Sequence, residues 1–206
     1  MEKNVTLTKK LVLTAAMSAL IIMLGITKLG LIPLGPAASI TILHVPIILA
    51  ACFIGLPSAL FTGAVFGIMS LVQSAMSPSG VLDPLFVNPL VSVLPRVLTG
   101  LIAWALWFAF NKLPKIPKMV SAGITAFLAT VCHTLLVIGS LYLFQGAATR
   151  EGMGGLGYFA VIGVLAPQAA LEAVAATIIC IAAYTGIYVS EKRKSKLSQE
   201  NDGSAE

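Results

Sequence analysis

Charge is what this chain has least of. Asp, Glu, Lys and Arg make up 10% of its 206 residues, while 58% are hydrophobic. Soluble domains carry about a quarter of their residues charged, so a water-exposed globule of this length is excluded. Histidine is scarce, at two residues, and cysteine at three. Cys52, Cys132 and Cys180 all fall inside apolar runs with no CxxC or other metal-like spacing. They read as small buried thiols. No HExxH or paired-ligand spacing joins His44 or His133 to a carboxylate, so neither a metal nor another cofactor is expected. No Walker motif is present, so the chain supplies no ATPase of its own. The formal net charge of +5 does not point to nucleic acid. The basic residues are not interleaved with aromatics; they cluster at the flanks of apolar runs.

Long apolar runs dominate instead. Crossing about 30 Å of hydrocarbon takes about 20 apolar residues in a helix. The sequence divides into six such spans, roughly Lys10 to Leu31, Thr41 to Gly55, Pro57 to Gln73, Asn88 to Phe110, Met119 to Phe144 and Phe159 to Val189. The second is short and the break at Gly55-Leu56-Pro57 is slight, so one broken or re-entrant helix is the alternative there. Strands are not expected, because the runs are too long and Leu/Ala-rich for the alternation of a membrane barrel. The first run is too long for a signal-peptide core and further spans follow it, so it reads as a helix that stays. The expectation is an all-α membrane protein, a six-helix bundle over residues 1–191. A charged, disordered tail follows over 192–206.

Orientation follows from Lys and Arg. Lys3, Lys9 and Lys10 precede the first span; Lys112, Lys115 and Lys118 separate the fourth and fifth; Lys192, Arg193, Lys194 and Lys196 follow the sixth. Six spans put all three groups on the cytoplasmic side, together with both termini. The outer loops, Gly30 to Ile40, Ser74 to Val87 and Gln145 to Gly157, are rich in Gly, Pro, Ser and Ala. The Gly152 to Gly157 stretch reads as a flexible surface loop or lid, not a phosphate loop, since it follows no strand.

Within the spans two full charges stand out. Arg96 is the only basic residue expected to be buried within a span, and Glu172 is its only acidic counterpart. A charge at membrane depth costs about 2.5–3.5 kcal/mol on insertion scales, and such residues mark substrate paths or ion pairs. Arg96 lies eight residues past Asn88, roughly 12 Å at the helical rise. Gln73, His44, His133, Gln168 and Glu172 join Arg96 and Asn88 in the outer half of the bundle, while the inner half is almost purely apolar. That distribution suggests a pocket opening outward. Each residue also has a plainer reading. Arg96 and Glu172 could simply pair, Asn88-Pro89 could be a helix start, and the histidines could be interhelical donors. Pro95 and Pro167 directly precede Arg96 and Gln168, where each frees a backbone carbonyl. On the first span, Ala15 and Ala19 form a small-xxx-small pair suited to close helix approach.

Taken together, these segments resemble the substrate-binding S-component of an energy-coupling factor (ECF) vitamin transporter. The resemblance covers nearly the whole chain. It rests on the size, six spans, the Ala15-xxx-Ala19 pair, the run ITILHVPIILAACFIGLPSALFTGAVFGIMSLV, and then NPLVSVLPRVLTG, CHTLLVIGSLYL and PQAALEAVAA. It implies a subunit of the cell membrane that binds a vitamin from outside. Its implied partners are a membrane coupling protein and two ATPase subunits. It also implies that Ala15 and Ala19 meet the coupling protein, and that the outer cluster binds the vitamin. The pantothenate-specific members are most similar. In that reading Arg96 holds the carboxylate, and Asn88, His133 and Gln168 hold hydroxyls and the amide. Related sequences often place Asn where this chain has His133. Few aromatics near the site argue against flat ring vitamins. The alternatives are an S-component for another vitamin and a proton-coupled secondary transporter using Glu172. An intramembrane enzyme ranks last, because no nucleophile is spaced to either histidine.

Overall fold

The computed structural model describes residues 6–33, 39–78, 81–114 and 116–203. Lys3 and Lys115, two of the basic residues used for orientation, lie outside them, as do residues 204–206 of the tail. Among the described residues the chain is helical apart from a short hairpin. The helices are α1 (Leu7–Ile26), α2 (Val45–Phe53), α3 (Leu56–Met76), α4 (Pro89–Asn111), α5 (Lys118–Gly152) and α6 (Tyr158–Gly203). Five of them, all but α2, are long and apolar enough to cross a membrane.

The expected second span is where sequence and structure part. Nine residues of α2 extend about 13 Å, less than half the hydrocarbon thickness. Gly55 ends the segment with φ 122°, a conformation open to glycine and strained for other residues, and Pro57 sits in the first turn of α3. The break is therefore a true turn. In place of the expected strand-free outer loop, β1 (Leu31–Pro33) and β2 (Ser39–Thr41) pair antiparallel. Three-residue strands are far too short to cross a bilayer, so the argument against a barrel is unaffected.

A short helix at membrane depth is tolerable if protein surrounds it, and α2 is the core of the bundle. Val45, Pro46, Ile47, Ile48, Ala50 and Ala51 are buried. On one side Val45, Ile48 and Ala51 pack with Ala59, Ala103, Ala126, Ala129, Ala176 and Cys180 from α3, α4, α5 and α6. On the other, Ile47 and the preceding Leu43 pack with Ile21 and Phe66. Outward-facing apolar side chains, such as Leu7, Phe61, Ile178 and Phe159, stay exposed, as a lipid-facing surface requires.

Contacts along the helices fix their directions. Thr14 meets Ser58 (2.7 Å) and the Gly25 carbonyl accepts from Gln73 (2.6 Å), so α1 and α3 run parallel. In contrast, Gly63 faces Arg96 while Gly100 faces Ala59, so α3 and α4 run antiparallel. They are pressed backbone to backbone. A Cβ on Gly63 would lie 2.6 Å from the Arg96 carbonyl oxygen, and one on Gly100 2.5 Å from that of Ala59. Small residues serve here as in other membrane helix pairs.

Two further boundaries differ from expectation. Past a break at Gln145 (φ −141°, ψ 38°), α5 resumes and runs to Gly152, through part of the expected outer loop. The Gln145 side chain donates to the Leu85 carbonyl (3.0 Å), tying the break to a 3-10 helix over Asp83–Val87. The remaining turn uses Gly154 and Gly155 at positive φ, and Tyr142 Oη donates to the Leu156 carbonyl (2.7 Å). At the C-terminus, where composition suggests disorder, the backbone of α6 stays helical through Gly203.

Candidate functional site

The site is assembled around Pro95-Arg96 of α4. Proline has no N–H, so the carbonyl four residues earlier, Val91, loses its helical donor. Arg96 replaces it: Nη1 donates to Val91 O at 2.8 Å. The freed carbonyl is thus capped by the very next side chain, which bends the guanidinium back along its own helix. Nη2 donates to Ser70 Oγ of α3 at 3.3 Å. The Phe66 and Phe86 rings flank the cation, 5.4 and 4.9 Å from it. Phe86 is held in place because Ser92 Oγ donates to its carbonyl. Arg96 is only 6% exposed, yet its Nε–H has no hydrogen-bond partner among the described residues. Nε–H and the near hydrogen of Nη2 form one edge of the guanidinium plane. That edge matches the two oxygens of a carboxylate.

Beside it lies His133 of α5, 5% exposed. Its ring stacks on His44 (5.3 Å, 15° between planes) and tilts against Phe66 (5.9 Å). Among the described residues neither His133 ring nitrogen has a hydrogen-bond partner, nor does His44 Nδ1. His44, fully buried at the start of α2, is anchored through Nε2 to Thr130 Oγ1 at 2.9 Å. Phe66 touches both the Arg96 cation and the His133 ring, so the two orphaned groups flank a common ring.

Glu172 is placed differently. Its Oε1 accepts from the Thr41 backbone N–H at 2.6 Å and from Gln168 Nε2 at 3.2 Å. It is 5% exposed. Arg96 and Glu172 form no ion pair among the described residues; each is held by other groups. The carboxylate satisfies the end of β2 and joins the hairpin to α6. His44 follows Thr41 by three residues, so this bond also bears on where the imidazole stands.

Of the other expected site residues, Asn88 caps α4, its Oδ1 accepting from Leu90 N at 3.0 Å. Gln73 donates to the Gly25 carbonyl and ties α3 to the end of α1. The structure therefore gathers Arg96, His133 and His44 about Phe66. It places Gln168 and Glu172 together at the end of β2, and leaves Asn88 and Gln73 as a cap and a strut. Sequence reasoning did not single out Phe66, Phe86, Ser70 or Thr130. Each is an ordinary residue of its run, and only the tertiary packing distinguishes it. The expectation of few aromatics near the site does not hold, since two phenyl rings flank Arg96 beside the stacked imidazoles. A groove of about 680 Å³ lies between α4, α5 and the start of α6, lined by Leu94, Pro95, Leu98, Leu135, Leu136 and Tyr158 among others. It is mostly apolar and its lining includes Pro95, so it adjoins the site, although Arg96, His133, His44 and Glu172 do not line it.

On α1, Thr14 and Ser18 are buried, while Ala15 and Ala19 on the adjacent face are exposed. Among the described residues nothing covers that small-residue pair.

The chain is similar to known proteins over much of its length. The family model for the ECF transporter, substrate-specific component, matches residues 9–184. The chain is 36% identical over 109 residues to a pantothenate transporter, PanT, of Leuconostoc mesenteroides subsp. mesenteroides; the match covers 51% of this chain and 52% of that protein. It is 27% identical over 124 residues to a pantothenic acid transporter, PanT, of Lactococcus lactis subsp. cremoris, covering 53% of this chain and 60% of that protein. The matches thus span between half and two thirds of these relatives' length. With a matched family model over most of its residues, the chain belongs to the substrate-specific components of ECF transporters, a family of transport proteins and not of enzymes.

Proposed function

We propose that the chain is the substrate-binding subunit of an ECF-type importer of the cell membrane, that its substrate is pantothenate, and that it works with a membrane coupling protein and two ATPase subunits. The observation that carries the substrate class is the unpartnered Nε–H of buried Arg96. A buried guanidinium with an open Nε–H costs free energy until an anion fills it, because an unmade charged hydrogen bond is penalised more than a made one is rewarded. Pantothenate brings one carboxylate for that edge, together with hydroxyls and an amide. The relatives carrying the pantothenate name support the same choice. A proton-carrying role for Glu172 is disfavoured, since its carboxylate is engaged by Thr41 and Gln168.

The topology we infer has six crossings and cytoplasmic termini. Because α1 and α3 run parallel, the chain between them must return across the layer. The hairpin and α2 make that return in two pieces, with α2 alone too short. The return restores the even count that the positions of Lys and Arg require. Ala15 and Ala19, exposed and side by side on α1, are the proposed contact for the coupling protein.

The test is calorimetric titration of the purified chain in detergent against a vitamin panel led by pantothenate. One-to-one binding of pantothenate is expected. Binding of a different vitamin would keep the subunit and replace the ligand; a folded sample that binds none would refute the reading.

A further inference from the structure

The groove beside Pro95 takes no part in the polar site. Its α4 wall carries Leu94 and Leu98, its α5 wall Leu135, Leu136 and Gly139. Leu94, Leu135, Leu143 and Phe144 of its lining are exposed, so it opens on the surface that faces lipid and not on the buried cluster. From Leu135 to Phe144 the α5 wall rises about 14 Å. That is close to the depth of one leaflet, roughly half of the 30 Å hydrocarbon layer. The volume of about 680 Å³ lies within the roughly 300–1,000 Å³ of small-molecule pockets. The two ends differ in chemistry. Leu98, Leu135 and Leu136 make one end purely apolar, while Tyr142 and Tyr158 bring hydroxyls to the other. Tyr158 begins α6, and α5 breaks at Gln145, three residues past Tyr142. Both tyrosines therefore stand near an edge of the layer, where such a side chain keeps its ring in hydrocarbon and its hydroxyl among polar headgroups.

We infer that this groove is a lipid site: it seats one acyl tail of a membrane lipid along Leu94, Leu98, Leu135 and Leu136, with the lipid's polar head at Tyr142 and Tyr158. Lipid is the medium on this surface, and the groove is continuous with the rest of the lipid-facing side chains. Apolar association within a bilayer is driven by van der Waals contact, not by escape from water. A tail held between two helices gains such contacts on several sides, and an empty groove forfeits them. Water is a poor filler, because it needs two to four polar partners that the leucines do not supply. The apolar-to-hydroxyl gradient along the groove matches an amphipathic molecule standing upright in the leaflet. A protein partner is a weaker match. The proposed coupling contact lies on α1, which packs on α2 and α3, so an assembled importer leaves the α4–α5 wall to lipid. The inference does not depend on the proposed substrate.

Photolabelling of the full chain tests it. The chain is reconstituted in phosphatidylcholine nanodiscs doped with a phospholipid that carries a diazirine in one tail, irradiated, and mapped by peptide mass spectrometry. Label should saturate with probe and concentrate around Leu98 and Leu135, several-fold above that at Ile178, an exposed α6 residue outside the groove. A diazirine in the headgroup should shift the label to Tyr142 and Tyr158. Gly139→Phe fills the groove. A Cβ on Gly139 would meet only the Tyr158 hydroxyl, at 3.9 Å, an ordinary contact, so the backbone accepts the change. It should lower groove labelling several-fold and leave Ile178 unchanged. Leu135→Trp, on the exposed rim, narrows the groove from a second position and replaces Gly139→Phe if that variant does not fold. Equal labelling of the groove and Ile178 would overturn the inference, since bulk lipid alone would then wet both. Groove labelling that a folded filling variant leaves intact would overturn it too. So would loss of the label under saturating pantothenate, which would give the groove to the vitamin. The labelling itself needs no vitamin, so failure of the substrate reading leaves the lipid site still decided.

Discussion

Replacing Arg96 with lysine keeps the charge and removes the fork, which separates two explanations of the buried cation. In the structure Nη1 is committed to the Val91 carbonyl at 2.8 Å, Nη2 leans on Ser70 at 3.3 Å, and Nε–H is open. Arginine can therefore hold its own helix and a carboxylate at once. A lysine ammonium is a single point. If it caps the carbonyl freed by Pro95, it cannot also align with two carboxylate oxygens; if it turns to the ligand, the carbonyl is left bare. The expected loss is about one charge-assisted hydrogen bond, about 1.5–3 kcal/mol, or roughly 10- to 150-fold in Kd. The flanking Phe66 and Phe86 rings attract either cation, so they do not decide the outcome. The assay is calorimetric titration of the Arg96→Lys chain with pantothenate, alongside thermal unfolding to establish that the bundle is intact. A Kd within about twofold of wild type would refute the fork, leaving charge alone as what the site supplies.

Three other outcomes follow from the same geometry. Pro95→Ala restores an N–H that competes with Arg96 for the Val91 carbonyl; the ligand-free chain should melt higher while pantothenate binds several-fold more weakly, and unchanged affinity would mean that the Val91 bond does not orient the guanidinium. Glu172→Leu leaves the Thr41 N–H without its acceptor, which should cost about 1–3 kcal/mol of stability and speed hydrogen exchange in the peptide containing Thr41, whereas Glu172→Gln, which keeps an oxygen, should lose much less. Ala15→Trp fills the exposed small-residue face of α1; it should leave vitamin titration unchanged and prevent co-purification with the coupling protein, and normal assembly would move the contact to another helix.

Much of the site was legible because its residues are exceptional where they stand. Arg96, Glu172, His44 and His133 are conspicuous in apolar runs, and their cost at membrane depth marks them without any structure. Their partners carry no such mark. Phe66, Ser70 and Thr130 resemble many neighbours in composition, and only the packing of α3 and α5 selects them. Asn88 and Gln73 show the reverse case. Both are polar at the end of a run, and both are spent on backbone groups, one as a cap and one as a strut.

By itself the sequence determined the solvent and the class. With 58% hydrophobic residues and 10% charged, the chain's surface suits lipid, and apolar runs of that length in lipid satisfy their backbone as helices. It also determined where the polar cost was concentrated. Tertiary structure decided how those costs are met. Whether Arg96 pairs with Glu172 depends on where two side chains from different helices end, and no spacing along the chain encodes it. Whether Thr41 to Gly55 spans the layer likewise depends on neighbours. A nine-residue helix too short to face lipid is stable there because the surrounding helices bury nearly all of it. The bond from Glu172 to Thr41 joins residues 131 positions apart. Such a contact follows from the closed bundle alone, since local propensity reaches only a few turns along a helix.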